Sequence, residues 1–517
     1  MQSTVTQVAA QPSATVSGLR SASVASQVLW LIGLTALLRV LLAASVGLSV
    51  DESYTVAVSR QLALSYFDHP PLHLWLVGLW AKLLGSEAPV LVRLPFIALF
   101  AISTWLLYRL SARAFGERSG LWAAAIFNIT PQLTLATASW VLPDGPLMCC
   151  ALAAACCVLR ALEESPGHPT ARARTWWTLA GIAAGLALLS KYLAGFLFIG
   201  VLGFLVSSRA HRRWLATALP WSAALIAALL FLPVLIWNAE HHWVSFAFQG
   251  GRALPAGAGL RRGAQGLGGQ LAYLWPWTAV ALTWALWRAW RGGTRDAPAW
   301  LFAWLASGPI VFFALVGFVT PVLPHWPMIG WLFAMPLLGR ELARLEQHGM
   351  RWVRASVLAT AVLLLAMLSL AATQTQDGWL DRYFPKLKSS DPTVDLLDWR
   401  SLGPMLVHGG LLPAGVPVAA VSWIDAGKLD YALGAHQRVL CLGNDPREFA
   451  FIQQPRQWLG RDMLLVADAR RHDWLTLAAP YFRRLTPLPD VVLRRAGQPA
   501  VELKLARAVG FRLPASP

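Results

Sequence analysis

Eleven long apolar stretches recur between residues 28 and 372, at roughly 28–48, 90–110, 118–138, 145–163, 175–190, 193–208, 213–237, 267–291, 299–319, 325–341 and 352–372. A helix needs about 20 apolar residues to cross a bilayer, and within lipid it must satisfy its own backbone polar groups. Only 13% of the residues are charged, against about 25% in soluble chains. The 27 tryptophans suit membrane–water interfaces. The pattern predicts a polytopic α-helical membrane protein with about 11 (11–13) transmembrane helices.

Arginine placement orients these spans. With the N-terminus inside, the inner loops carry Arg109, Arg113 and Arg118, then Arg160, Arg172 and Arg174, then Arg209, Arg212 and Arg213. Arg288, Arg291 and Arg295 follow, then Arg340, Arg344, Arg351 and Arg354. The opposite loops are poor in Lys and Arg, apart from Arg252, Arg261 and Arg262. The net charge of +17 is thus a topology signal and not a nucleic-acid footprint. Leu72–Leu84 is apolar but short and follows Pro70-Pro71, so it reads as an interfacial helix. Counting it as a span would invert every later loop.

Residues 1–25 are rich in Ser, Thr, Gln and Ala and read as a disordered inner segment. The first apolar stretch reads as an uncleaved anchor. Four of the five cysteines lie in one apolar stretch, with neither a disulfide framework nor metal-ligand spacing. Residues 26–375 form the membrane part. From 376 to 517 charge rises and β-like runs appear at Val416–Val421, Arg438–Leu442, Met463–Val466 and Val491–Leu493, alternating with helix-like segments. This is the pattern of a small α/β domain, which an odd number of spans places outside, where it could cap a site.

The chemistry collects on that outer face. Asp51, Glu52, Asp68 and His69 fall in the first outer loop, and a helix over Ser53–Ser65 is expected between them. Asp144 lies between two spans, Lys191 at a helix end, Arg252 in a longer loop and His325 ahead of Trp326. Each has a plainer reading. Asp51 or Glu52 could cap the next helix, and Asp68-His69-Pro70-Pro71 and Pro143-Asp144-Gly145-Pro146 could be turns. Lys191 could snorkel to headgroups, and His325 could belong to an interfacial belt. His241-His242 lacks the spacing of a helix-borne zinc site. Together, these residues supply carboxylates beside cations at a membrane boundary. That inventory suits transfer from a lipid-phosphate sugar, in which a carboxylate takes the acceptor proton and cations hold the departing phosphate.

Several motifs extend this reading. Asp51-Glu52, Tyr66-Phe67-Asp68-His69-Pro70-Pro71-Leu72, Val92-Arg93-Leu94-Pro95, Phe115-Gly116-Glu117-Arg118, Pro143-Asp144-Gly145-Pro146-Leu147 and Leu189-Ser190-Lys191-Tyr192 resemble the bacterial protein-mannosyltransferase-like family 39 glycosyltransferases of GT-C type, related to lipid A aminoarabinose transferases. Pro233-Val234-Leu235-Ile236-Trp237-Asn238, Ser245-Phe246-Ala247-Phe248-Gln249, Gly268-Gly269-Gln270 and His325-Trp326-Pro327 continue the likeness over about 30–340.

The resemblance implies a polyprenyl-phosphate sugar donor and an acceptor on the periplasmic side of a bacterial inner membrane, with the C-terminal domain also periplasmic. The acceptor would be an envelope glycolipid such as lipid A or lipopolysaccharide core. It also implies Asp51 and Asp144 as the catalytic residues. Substrate-binding residues would be Glu52, Tyr54, Asp68, His69, Arg93, Lys191, Tyr192, Arg252 and His325, with Lys191 first in line for the donor phosphate. No cofactor and no obligatory metal are expected. Asp68-His69 departs from the Glu-Lys of the aminoarabinose transferases, which removes a fixed cation and puts that sugar in doubt. A protein O-mannosyltransferase with the same donor is the main alternative. A lipid or solute transporter would call for charges near span centres and an inverted repeat, and a non-catalytic assembly factor would tolerate loss of Asp51 and Asp144.

Overall fold

A computed structural model describes residues 23–514 except 137–138, 168–169, 253–256, 258, 385 and 387–390. Most of the expectation for residues 1–25 therefore lies outside the described residues. Helix α1 spans Val24–Ser45, with the Ser23 hydroxyl accepting from the Ser26 N–H. Short helices α2 (Val50–Ser59) and α3 (Leu72–Leu84) follow, then α4 (Pro89–Phe115). α3 has the bounds read from the sequence and ends at Gly85, whose φ of 62° closes the helix in the left-handed conformation. α2 starts earlier than expected and stops at Ser59, short of Ser65.

The next stretch is not one continuous helix. α5 (Glu117–Ile129) ends at Thr130, and α6 (Pro131–Ala136) restarts after it. Pro131 disfavours helical geometry in the residue before it, which breaks the stretch there. α7 (Asp144–Leu162), α8 (Ala171–Ser190), α9 (Gly195–Ser207), α10 (Leu219–Glu240) and α11 (Val244–Gly251) come next. The span expected at 267–291 is likewise divided, into α12 (Leu260–Leu274) and α13 (Pro276–Gly292), at Trp275 with φ 64° before Pro276. α14 (Ala297–Val316), α15 (Met328–Gln347) and α16 (Trp352–Asp377) complete the helical part.

Among the described residues, six helices are long and apolar enough to cross a membrane: α1, α4, α7, α10, α14 and α16. Their outward faces present leucines such as Leu34, Leu41, Leu225 and Leu229 to the surroundings. That is the arrangement lipid contact favours.

Beyond α16 lie α17 (Trp379–Tyr383) and α18 (Leu402–His408), then a five-stranded sheet. Its chain order is β1 (Val418–Ala420), α19 (Trp423–Leu433), β2 (Val439–Cys441), α20 (Phe449–Ile452), β3 (Met463–Asp468), α21 (Trp474–Ala478), β4 (Phe482–Arg495) and β5 (Gln498–Phe511). In space the order is β2-β1-β3-β5-β4. β1 is parallel to β2 and β3, while β5 is antiparallel to β3 and β4. The four β-like runs fall on strands. β5 escaped the reading because Glu502, Lys504 and Arg507 alternate with its inward residues. Ala496-Gly497, at φ 45° and 80°, makes the two-residue turn between β4 and β5.

This sheet unit docks on α2. Tyr54, Val58, Tyr66 and Leu74 share one core with Val418, Ala426 and Leu429. α19 approaches so closely that a Cβ on Gly427 would lie 2.9 Å from the Tyr54 Cα. Lys428 Nζ donates to the carbonyls of Leu48 at 2.6 Å and Leu397 at 3.1 Å. Arg60 pairs with both Glu87 and Asp430, and the Tyr431 hydroxyl donates to the Glu87 carbonyl. Gly427→Val places a branched side chain against backbone, so a loss of about 1–3 kcal/mol is expected. The unfolding midpoint of the purified protein measures it, and an unchanged midpoint would remove the contact from the docking account.

Candidate active site

The site is built on the first turn of α2. Ser49 and Glu52 form a capping box: the Ser49 hydroxyl accepts the Glu52 N–H at 3.3 Å, and Glu52 Oε2 accepts the Ser49 N–H at 2.9 Å. The Glu52 carboxylate also receives Arg93 from α4 through Nε at 2.7 Å and Nη2 at 2.7 Å. The remaining Arg93 donors go to the carbonyls of Ala43 and Val46, each at 3.0 Å, and Gly47 at 2.7 Å. All five guanidinium donors are therefore used. Glu52 Oε1 further accepts the Val141 N–H at 3.2 Å, which fixes the segment leading to Asp144.

Burial opposes charge on Glu52, but Arg93 and the two backbone donors hold its carboxyl below the usual range. Glu52 is 0% and Arg93 1% exposed, so neither has a free polar atom to offer a ligand. Both were expected among the substrate-binding residues; the structure places them in a buried pair with each other and the neighbouring backbone. They hold the end of α1, the start of α2 and the approach to α7 in register.

Asp51, one residue earlier, is exposed. The surrounding protein still raises its pKa through desolvation; Asp68 and Glu52 add to the rise, while Arg447 and Arg252 oppose it. The carboxylate thus keeps access to solvent while lying in the field of these charges. Asp68 is buried beside it, with Oδ1 3.3 Å from the Tyr54 hydroxyl and Oδ2 3.3 Å from Arg447 Nη1. Its carbonyl accepts from Gln249 at 2.6 Å.

The Tyr54 hydroxyl in turn accepts the Glu448 N–H at 3.1 Å. Burial lifts the Tyr54 pKa well above its ordinary value, keeping the phenol a donor. Glu448 accepts the Phe67 N–H at 2.5 Å, and burial pushes its carboxyl up to about 8. Residues 447–449 of the sheet unit therefore lie against the first loop. Sequence reasoning missed Arg447 and Glu448, and met Gln249 in a motif without giving it a place at the site. Asn444-Asp445-Pro446 reads only as a turn, and nothing in that run marks a charge meant for a site some 380 residues earlier in the chain.

A second cluster adjoins the first. Asp144 opens α7, and Lys191 caps the end of α8. Lys191 Nζ donates to both Asp144 oxygens at 2.9 Å, and both residues are buried. His69 feels both clusters: Lys191, Arg252 and Arg447 oppose its charge and Asp144 favours it. Burial, aided by Lys191, pushes its pKa down to about 3 and that of His325 to about 4. His69 therefore supplies no charge at neutral pH. It meets the buried His73 edge-on at 5.6 Å, a neighbour the sequence reading did not single out.

The Tyr192 ring packs on Phe231 and Phe246. Arg252 lies over Phe248 at 5.4 Å and Trp326 at 5.0 Å. Among the described residues no carboxylate forms an ion pair with Arg252. His241 stacks on Trp237 at 4.0 Å, with Nδ1 2.7 Å from the Trp237 carbonyl oxygen. Among the described residues no group of three His, Cys, Asp or Glu is placed to hold a metal ion.

Comparison with known proteins fits this arrangement. Residues 68–237 match the family described as dolichyl-phosphate-mannose-protein mannosyltransferase. A lipid A galacturonosyltransferase of Rhizobium johnstonii is 25% identical over 295 residues, covering 55% of this chain and 58% of that protein. An undecaprenyl phosphate-alpha-4-amino-4-deoxy-L-arabinose arabinosyl transferase of Erwinia tasmaniensis is 25% identical over 334 residues, covering 60% of this chain and 57% of that protein. The chain thus spans less than two thirds of the length of either relative.

Among solved structures, ArnT from Cupriavidus metallidurans bound to undecaprenyl phosphate superposes with a TM-score of 0.62 at 18% identity, covering 93% of this chain and 98% of that one. The apo oligosaccharyltransferase of Archaeoglobus fulgidus gives 0.50 at 13% identity, covering 88% and 72%. The fold is GT-C, mostly helical with a small C-terminal sheet unit. The family match shows the resemblance read from the motifs.

Removing one partner of the buried ion pair leaves the other uncompensated. Arg93→Met is expected to cost about 3–5 kcal/mol, and adding Glu52→Leu should recover much of that loss in the unfolding midpoint. His69, His73 and His325 set a pH slope. Held neutral in the fold, they take up protons near pH 6.5 once unfolded, so stability falls as pH drops from about 6.5 towards 4. A His69→Asn, His325→Gln double variant should partly flatten the midpoint-against-pH curve in that window, His73 keeping its share of the slope.

Proposed function

We propose that this chain transfers a sugar, with inversion, from a polyprenyl-phosphate donor to an acceptor on the periplasmic side of a bacterial inner membrane. The acceptor is an envelope glycolipid such as lipid A or lipopolysaccharide core. In this reading the helices cross the membrane eleven times, a figure that rests on the arginine asymmetry of the loops. Residues 26–375 are the transferase part, and 376–517 form the periplasmic cap. The observation that carries the proposal is Asp51: a solvent-reachable carboxylate with a raised pKa, fixed by the buried Glu52–Arg93 pair and faced by Arg447 and Arg252. The fold and the two curated relatives support the donor class.

The chemistry follows from that geometry. The bond between the sugar anomeric carbon and the donor phosphate oxygen breaks as the acceptor oxygen bonds to that carbon from the opposite face. Asp51 takes the proton of an acceptor hydroxyl, while cations balance the departing polyprenyl phosphate. Where the acceptor is an already ionised phosphate, Asp51 orients it or balances charge growing at the anomeric carbon. Asp144, locked to Lys191, orients the substrate and holds the ammonium at the buried side of the site. Tyr54 and Asp68 shape the wall, and Tyr192 and His325 contribute ring surface.

The family description keeps a protein O-mannosyltransferase as the second reading. Mass spectrometry of lipid A, core oligosaccharide and periplasmic glycoproteins from a deletion strain separates the two by which species loses a sugar. Complementation should restore the missing mass with wild type. With Asp51→Asn, transfer should fall by about 10²-fold or more. Full restoration by Asp51→Asn would remove the carboxylate from its assigned role.

A further inference from the structure

The cations near Asp51 and Asp144 differ in how far they are already committed. Arg93 has spent every donor on Glu52 and three carbonyls, and Lys191 is bound through both oxygens of Asp144. His69 and His325 are neutral. Two guanidinium groups remain, Arg252 of the helical part and Arg447 of the sheet unit. Both lie over the Phe248 ring, with guanidinium carbons 5.4 and 5.7 Å from its centroid.

Among the described residues Arg252 has no carboxylate partner. Arg447 has one long contact to Asp68, at 3.3 Å, and a looser one to the exposed Asp445, at 3.7 Å. Its Nε is buried without a hydrogen-bond partner, and the group stacks on Trp423 at 3.8 Å. Arg447 holds this position with a left-handed backbone, φ 50°, which is uncommon for a residue other than glycine. Two like charges brought over one ring, only partly balanced, suit a site that receives an anion.

We infer that Arg447 of the sheet unit and Arg252 of the helical part form a two-arginine clamp for the donor's phosphate ester, so that the C-terminal unit completes the donor site. The inference rests on the sugar-transfer reading above and adds to it the origin of the second cation. Stacking on Trp423 and Phe248 fixes the plane of the Arg447 guanidinium. That fork can offer paired N–H donors to two phosphate oxygens, which an ammonium cannot.

Binding of undecaprenyl phosphate to the purified full-length protein in nanodiscs tests this without requiring transfer. Undecaprenol and inorganic phosphate serve as comparison ligands. Wild type should bind undecaprenyl phosphate well above undecaprenol. Arg447→Ala should weaken binding by about 10- to 100-fold, the range of a lost hydrogen bond to a charged group. Arg447→Lys should recover part of the loss. If Arg447 merely neutralised Asp68, adding Asp68→Asn to Arg447→Ala would restore binding; under the clamp it does not. Inorganic phosphate binding as tightly as the lipid would also overturn the assignment, since the site would then not be a donor site.

Unfolding midpoints identify any variant that fails to fold, and Arg447→Lys keeps the test open in that case. Binding by Arg447→Ala equal to wild type overturns the inference alone. Failure of wild type to bind undecaprenyl phosphate at all overturns the donor reading along with it.

Discussion

The candidate site depends on one buried guanidinium. Arg93 reaches from α4 to the last carbonyls of α1 and to the carboxylate that caps α2, and no donor is left unspent. A buried pair of this kind adds little net stability over apolar packing, because both charges must be desolvated. What it provides is registration. Glu52 cannot shift without leaving Arg93, Ser49 and Val141 unpaired at once, so Asp51 one residue away is held just as firmly. In the proposed role, where Asp51 meets a reacting atom, that precision matters more than extra stability.

The site also divides its charges between fixed and available. Glu52, Arg93, Asp144 and Lys191 satisfy one another, and burial keeps two histidines neutral. Asp51, Arg252 and Arg447 are left with incomplete partners. Of these, the Arg447 Nε is buried without a partner, a condition proteins seldom keep without a use for it. The same contrast separates support from chemistry in a region where the amino-acid types alone look equally functional.

Much of this was legible in the sequence. The helical class, α3 with its bounds, and four of the strand positions followed from apolar length and period. So did the closeness of the first loop, Asp144 and Lys191, because loops on one face share one aqueous boundary. The breaks at Thr130 and Trp275 were hidden because apolar runs continue through them, although Pro131 and Pro276 were visible signals. The pairing of Glu52 with Arg93 could not be read, since neither stretch of sequence says which way its side chain points or that the two meet. Arg447 and Glu448 were out of reach for a different reason: contact across hundreds of residues is a property of docking between units, and a turn sequence carries no trace of its destination.

That docking changes what the C-terminal unit is. The Tyr54 hydroxyl takes an N–H from Glu448 while giving its own proton to Asp68, and Asp68 meets Arg447. Hydroxyl, carboxylate and guanidinium therefore form a closed circuit that runs through both parts of the chain. A unit that looks like an appended lid is then one wall of the vessel. Exchanging it between related proteins would transplant electrostatic potential along with architecture, and the behaviour of such a hybrid would be set by the seam rather than by either parent alone.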